Sequence, residues 1–413
     1  MEFKKEYDLI VIGAGAAGIM AAITAAKDAK SVLLLEKLPQ IGSKLKATGG
    51  GKCNLSNTLS NDDFISKFGK EGHFMQEALN AFDNNAMQDF FASIGVETHA
   101  PDGFRIFPIS HNSQTIITAL ETEMQKLKIT VLCSQRVKNI KQNGNIKEVN
   151  TQDKSFFPQN IIIATGGLGY PTLGAEGDGF EIAKALGHKI TPLYPAMLPL
   201  KTKERWVQNC RSQTVAKAVL KVNIKKHQKL KAVGDLIFTK DGIRGPVVLD
   251  FARELTPLIE LYGEVPLLVN FIKGRNEDEI LKHLKNEASK NRSITSVEII
   301  STLMPETLSN EICNLANIAP DSIFNKIEGS AKDTLIKLLA WTPLHIVGHD
   351  GFKNAMITRG GVDLKEVDPK TMQSKIAKGV YFCGEVLNLD GPCGGYNLQW
   401  SFASGYLAGK LKS

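Results

Sequence analysis

The chain has 413 residues, of which 43% are hydrophobic and 23% charged, and its net charge is +7. That length exceeds a single compact core and calls for two or three domains, while the composition excludes a disordered chain. No apolar run reaches the roughly 18 residues that cross a bilayer, so no membrane partner is expected. The six cysteines (53, 133, 210, 313, 383 and 393) form no Cys-x-x-Cys pair and have no histidine at metal spacing, so no metal site is expected. Met1–Glu6 runs straight into a strand pattern and leaves no room for a signal peptide. With the scattered thiols, this makes a cytoplasmic location the expectation.

In chain order, Tyr7–Ile12 is a short apolar run of strand type that meets Gly13-Ala14-Gly15-Ala16-Ala17-Gly18 at once. The Ala-rich stretch from Gly18 to Lys27 favours a helix, and Ser31–Glu36 reads as a second buried strand, which completes a βαβ unit. Residues 37–58 form a long glycine-rich segment around Thr48-Gly49-Gly50-Gly51-Lys52-Cys53-Asn54; a loop of this length inside a domain is usually functional. Helices are predicted near 74–93 and 112–127, and strands near 129–140, 146–151 and 160–164. After Pro192 the pattern predicts basic strands to about 273, then helices over 277–340, and strand-and-glycine character from 345. Gly379–Glu385 ends as a strand, and a last helix covers 397–410. The expected fold is α/β: a Rossmann-like FAD-binding domain with an inserted β-rich domain and a small helical subdomain. The expected boundaries are 1–191 with 344–413 for the FAD-binding domain, 192–275 with 330–343 for the β-rich insertion, and 276–329 for the helices.

A strand before the glycine loop, a helix after it and an acid closing the second strand make a dinucleotide fingerprint. Gly13 permits the tight turn, Gly15 the approach of a diphosphate, and Gly18 the packing of helix on sheet. The first amides of that helix favour the diphosphate. Glu36, 18 residues beyond Gly18, is placed to accept hydrogen bonds from the adenosine ribose and would repel a 2′-phosphate. FAD and NAD share this pattern, so the choice rests on three further segments. Ala164-Thr165-Gly166-Gly167 crosses beside the dinucleotide. Gly384-Glu385 brings a carboxylate to ribityl hydroxyls. Gly394-Gly395-Tyr396-Asn397 opens a helix whose N-terminus suits a reduced flavin ring. No second fingerprint supplies a dedicated NAD domain, so FAD is the expected cofactor, with NAD(P)H as a transient reductant.

Together these blocks resemble the bacterial aminoacetone-oxidase-family, or BaiN-like, FAD-dependent oxidoreductases. The segments Phe238–Pro246 and Thr371–Lys375 match further blocks of that family, and the resemblance covers nearly the whole chain. It implies FAD contacts at Gly13, Gly15, Ala16, Ala17, Gly18, Glu36, Lys37, Lys44, Thr48, Gly49, Gly50, Asn54, Val137, Ala164, Thr165, Gly166, Gly384, Glu385, Asn397 and Leu398. The chain departs from the family at Lys240, where members often carry His, and at Arg244, where they often carry Ser. Aminoacetone oxidation, bile-acid dehydroxylation and dihydrouridine formation in large-subunit ribosomal RNA are all attached to the family, so the resemblance leaves the substrate open.

Among single residues, Tyr396, Cys53 and Cys393 are the candidates for catalysis beside the flavin; both cysteines also read as small side chains where backbone crowds a cofactor. Lys44 and Lys52 suit anion neutralisation, Arg105 a substrate contact or a surface turn, and His345 and His349 a proton donor or a structural imidazole. From Lys201 to Lys231 ten Lys or Arg face a single acid, Glu204, so this stretch carries +9 and the remainder is near neutral. A solvated strand face and a ribosomal RNA contact both fit it. The function expected is hydride transfer through flavin N5, with a uridine in ribosomal RNA as one substrate and a small amine or enone as another. A non-catalytic FAD-containing RNA-binding or assembly factor is the reading of another class. Oligomeric state is not legible.

Overall fold

The computed structural model describes residues 7–143 and 146–412; Met1–Glu6, residues 144–145 and Ser413 lie outside the described residues, and with them the expectation placed on Met1–Glu6. The chain divides into two compact units, one made of Met1–Pro195 with Ala355–Ser413 and one of Ala196–Asn354.

The first unit is built on a five-stranded parallel sheet in the order Val380–Phe382, Pro158–Ile163, Tyr7–Ile12, Val32–Leu35, Thr130–Leu132. The central strands carry runs such as Val32-Leu33-Leu34-Leu35 that are buried throughout, as a sheet covered on both faces requires. The helix Ala16–Lys27 is buried from Ala16 to Ala25 and lies against the last helix, Tyr396–Gly409. Its alanines face Gly405 and Gly409, where an added Cβ would stand 2.2 Å from Ala17 O and 2.5 Å from Ala21 O. Only small residues allow that approach. The loop predicted over 37–58 contains a short helix, Ser43–Ala47, and then a turn at Thr48–Gly51.

The second unit contains a closed six-stranded antiparallel barrel: Leu200–Thr202, Gly242–Arg244, Lys231–Phe238, Thr214–Val222, Val265–Asn270 and Thr342–His349, in that order. Four α-helices lie between its last two strands, from Glu277 to Ala340. Two differences from the sequence reading stand out. The stretch read as strands to about 273 holds a 17-residue helix, Pro246–Tyr262, whose Val247, Val248, Phe251, Ala252, Leu255 and Leu258 are buried at helical spacing. Pro246 at its first turn and Pro257 inside it blurred that period. The strand Thr342–His349 closes the barrel, although residues from 344 onward were assigned to the FAD-binding domain; it pairs with both Val265–Asn270 and Leu200–Thr202.

Candidate cofactor site

The carboxyl ends of the parallel strands converge on the glycine turn. Gly13 N–H donates to Leu35 O at 2.8 Å, Ala164 N–H to Ile12 O at 2.9 Å, and Cys383 N–H to Ile163 O at 3.2 Å. Thus Gly13, Glu36, Ala164 and Gly384 leave adjacent strands at one edge, where open α/β sheets bind ligands. The three glycines of the turn differ in what surrounds them. A Cβ on Gly13 would lie 2.6 Å from Ala164 O, and one on Gly18 only 1.9 Å from Gly13 O, whereas one on Gly15 meets nothing within 4 Å. Gly15 also caps the helix with no side-chain hydrogen bond, so the helix's first amides face that open space.

Glu36 is oriented before any ligand binds: Oε2 accepts from Ala14 N–H at 2.8 Å and Oε1 from Leu38 N–H at 2.9 Å. Each oxygen keeps a lone pair for a ribose hydroxyl. The adjoining pocket is lined by Gly13, Glu36, Gln135, Val137, Thr165 and Asp178, among others. Gln135 Oε1 and Thr165 Oγ1 are buried there without a hydrogen-bond partner among the described residues, and a bound dinucleotide would supply one. Lys37, which the resemblance makes an FAD contact, lines the same pocket. Its ammonium pairs with Asp178 and with Glu176 (3.1 Å), and Arg136 pairs with the same two carboxylates. Three of these four charges, Lys37, Arg136 and Asp178, line the pocket.

Residues from the two ends of the chain build the rest of the cradle. Lys44 Nζ lies 2.6 Å from Glu385 Oε2, while Glu385 Oε1 accepts from Thr358 N–H at 2.9 Å. The lysine expected to neutralise a ligand anion is thus already balanced by a carboxylate. Gly384, at φ +76°, would place a Cβ 2.8 Å from Ala17 Cβ. The glycine turn holds Gly49, Gly50 and Gly51 at φ +58°, +64° and +86°, and only Gly49 is crowded, its Cβ 2.9 Å from Asn54 N. Thr48 Oγ1 donates to Leu45 O at 2.7 Å. The Asn54 carboxamide accepts from Gly395 N–H at 3.0 Å and donates to Ser56 O at 2.9 Å. Asn397 closes the loop before the last helix, donating to Gly391 O and accepting from Gly391 N–H, both at 2.8 Å, and Leu398 follows half-buried. Gly15, Gly50, Gly51 and Gly166 border open space and the neighbouring glycines are packed shut. With the orphaned Gln135 and Thr165 oxygens, that is a cradle an FAD fits.

The candidates for catalysis have unequal surroundings. Cys53 is fully buried at φ +59°, and burial pushes its thiol up to about 12, with Thr48 opposing weakly. A thiol in that state is not a nucleophile at neutral pH, and the geometry supports its packing role. Cys393 is half-buried ahead of Gly394. The Tyr396 ring is buried against Phe64, at 4.8 Å between centroids, and near Phe68 and Phe104. Arg105 pairs with Asp102 at 2.6 Å as part of a surface turn. Lys52 is exposed. His345 and His349 belong to the barrel unit. His345 Nδ1 lies 2.6 Å from Glu204 Oε1, and His349 Nδ1 accepts from Gly351 N–H at 3.0 Å.

Sequence reasoning passed over Thr358, whose Oγ1 accepts from Leu168 N–H at 2.7 Å while its N–H orients Glu385. The signal was the Thr358-Arg359-Gly360-Gly361 run, read only as strand and glycine. It also passed over Ser404, which accepts from Gly384 N–H at 2.9 Å, and Asn57, which donates to Gly394 O at 2.9 Å.

A family model described as the HI0933-like protein Rossmann domain matches residues 7–411. The chain belongs to this family. It is 31% identical over 404 residues to a 3-dehydro-bile acid delta(4,6)-reductase of Clostridium scindens, covering 97% of each chain. It is 30% identical over 403 residues to a ribosomal RNA dihydrouridine synthase of Haemophilus influenzae, covering 96% of each. Among solved structures, 3-ketosteroid delta1-dehydrogenase from Sterolibacterium denitrificans superposes with a TM-score of 0.54 at 11% identity, covering 98% of this chain and 99% of that one. A flavocytochrome c3 fumarate reductase does so with a TM-score of 0.50 at 16% identity, covering 98% and 78%. These two show the fold. The chain is an FAD-dependent oxidoreductase with a Rossmann-type cofactor domain. Among the described residues no helix is long and apolar enough to cross a membrane, and no group of three metal-binding side chains occurs.

Proposed function

We propose that this enzyme reduces the C5=C6 bond of a uridine in large-subunit ribosomal RNA. Bound FAD, once reduced by NAD(P)H, would supply the hydride. The glycine turn, Glu36 and the Lys44–Glu385 pair would hold that cofactor in place. In uracil the C5=C6 bond is conjugated to a carbonyl, so hydride adds at C6 and a proton at C5.

The observation that carries the RNA reading is a register. In the hairpin Thr214–Val222/Lys231–Phe238, Lys221 stands directly opposite Lys231. Like charges facing each other across two strands destabilise a sheet. No carboxylate is recorded within ion-pair distance of Lys221, Lys225, Lys226, Lys229 or Lys231 among the described residues; Lys221 instead lies over the Trp341 ring at 3.6 Å. Lys240 and Arg244, the two departures from the family pattern, are exposed on the next turn and strand. A surface that keeps this repulsion is suited to a polyanion, whose phosphates would remove it. To test the reading, purified enzyme with NAD(P)H is incubated with ribosomal RNA from cells lacking this chain. Dihydrouridine forms at a defined position if the reading holds; unmodified RNA with steady NAD(P)H consumption on an enone contradicts it.

The second reading is reduction of a small enone, favoured by the 31% identity to the bile acid reductase. Its reaction class is the same, a double bond conjugated to a carbonyl, and the test above separates the two substrates.

A further inference from the structure

The tip of the same hairpin carries a feature that phosphate binding alone does not use. Lys225–His227 forms a single turn at the tip, closed by His227 N–H donating to Ile224 O at 2.8 Å and Leu230 N–H to His227 O at 2.9 Å. His227 Nε2 lies 3.1 Å from the hydroxyl of Tyr262, and the rings meet edge to face with centroids 5.8 Å apart. Tyr262 ends the helix Pro246–Tyr262, whose apolar side is buried, yet Tyr262 itself is 43% exposed and its neighbour Leu261 66% exposed. Lys225 and Lys226 share the tip turn with His227, Lys229 follows two residues later, and all three are exposed. An exposed aromatic ring, braced by a second ring on a closed turn that also carries exposed lysines, offers a π face on a basic loop.

We propose that Tyr262 and His227 form a stacking platform for an unpaired base, with the adjoining phosphates on Lys225, Lys226 and Lys229. The proposal rests on the RNA reading above and narrows it to a single-stranded or looped segment. A duplex hides its base faces, whereas an unpaired base offers one to an aromatic ring. Tyr262 needs little ordering to do this, because the His227 contact and the buried helix already hold it.

The test measures binding by the intact flavin-loaded chain, using fluorescence anisotropy with a uridine oligomer of about twelve nucleotides. The comparison ligands are the same oligomer without bases, a perfect duplex of equal length, and phosphatidylglycerol vesicles. Tyr262→Ala should weaken binding of the uridine oligomer about tenfold and leave the base-free oligomer unaffected. Tyr262→Phe, which keeps the ring and loses the His227 bond, should stay close to wild type. Lys225→Glu with Lys229→Glu should weaken both oligomers alike. If Tyr262→Ala binds the uridine oligomer as wild type does, or the duplex binds as tightly as the single strand, the platform is wrong and the RNA reading stands. If wild type binds none of the nucleic acids, or prefers the vesicles, both fall.

Discussion

The glycine turn at Gly13–Gly18 and the hairpin at Thr214–Phe238 are specified in opposite ways. The turn works through missing atoms: Gly13 and Gly18 are packed shut, and Gly15 faces space. The hairpin carries lysines that no ion pair among the described residues balances, with Lys221 opposite Lys231. Steric exclusion leaves a sequence signature at set spacing, because a Cβ 1.9 Å from a carbonyl oxygen permits no substitute. Unbalanced charge tolerates many arrangements, so it marks a surface without naming the ligand.

The largest effect should come from separating the glycines of the turn. Gly18→Ala forces a Cβ onto Gly13 O and should abolish both flavin retention and the folded first unit, read by flavin absorbance and thermal melting. Gly15→Ala should leave the flavin-free protein's stability within about 0.5 kcal/mol but lower FAD affinity at least about tenfold, since the diphosphate would meet the new methyl group. Equal losses in the two variants would break the distinction between packing glycine and ligand glycine.

Next comes the hairpin. Lys231→Glu turns a cross-strand repulsion into a pair, and should stabilise the protein by about 0.2–1 kcal/mol while weakening RNA binding and reducing its salt dependence. Gain of stability with loss of binding is the signature of a surface kept for a partner. If RNA affinity is unchanged, the hairpin is a solvated face.

A smaller effect is expected at a buried imidazole in the first unit. His188 Nε2 lies 2.8 Å from Ser374 Oγ, and Nδ1 lies 3.2 Å from Glu366. The order Ser, His, acid is that of a hydrolase, but Ser374 Oγ accepts from Ala377 N–H at 2.7 Å and Ile376 N–H at 3.0 Å, and the His188 side chain is fully buried. It pins a loop rather than attacking a substrate. Burial lowers the His188 pKa below 6.5, against the opposing pull of Glu366. The unfolded chain therefore takes up this proton at a higher pH than the folded one. The stability contribution is complete above the ordinary histidine range and declines as pH falls below it. His188→Gln should flatten that decline in denaturant titrations between about pH 7 and 5; an unchanged slope would remove His188 from the account.

The smallest effect is expected at Cys53. Cys53→Ser should keep turnover within a few-fold, because a thiol held near 12 is protonated throughout the working range. Loss of turnover with flavin retained would restore it as a catalytic group.

The parallel sheet, the glycine turn and the acid at Glu36 were legible because they follow local spacing within one βαβ unit. The Lys44–Glu385 pair was not, since 341 residues separate its partners and each was read as binding ligand directly. Thr358 was missed for a related reason: its contribution is a backbone N–H and a hydroxyl directed at other chain segments, which no residue pattern announces. The barrel was legible as basic strands, but the helix beginning at Pro246 was hidden by its two prolines. Lys221 and Lys231 were visible as charges, and their opposition only as a register.

The central claim is that FAD chemistry in this chain is directed at a base in RNA. Its most direct test maps dihydrouridine across ribosomal RNA in cells with the chain, without it, and with the Lys221→Glu, Lys231→Glu variant. One dihydrouridine should be lost on deletion, return with the wild-type chain, and return weakly or not at all with the variant. An identical dihydrouridine profile in all three would contradict the account and return the substrate to small molecules.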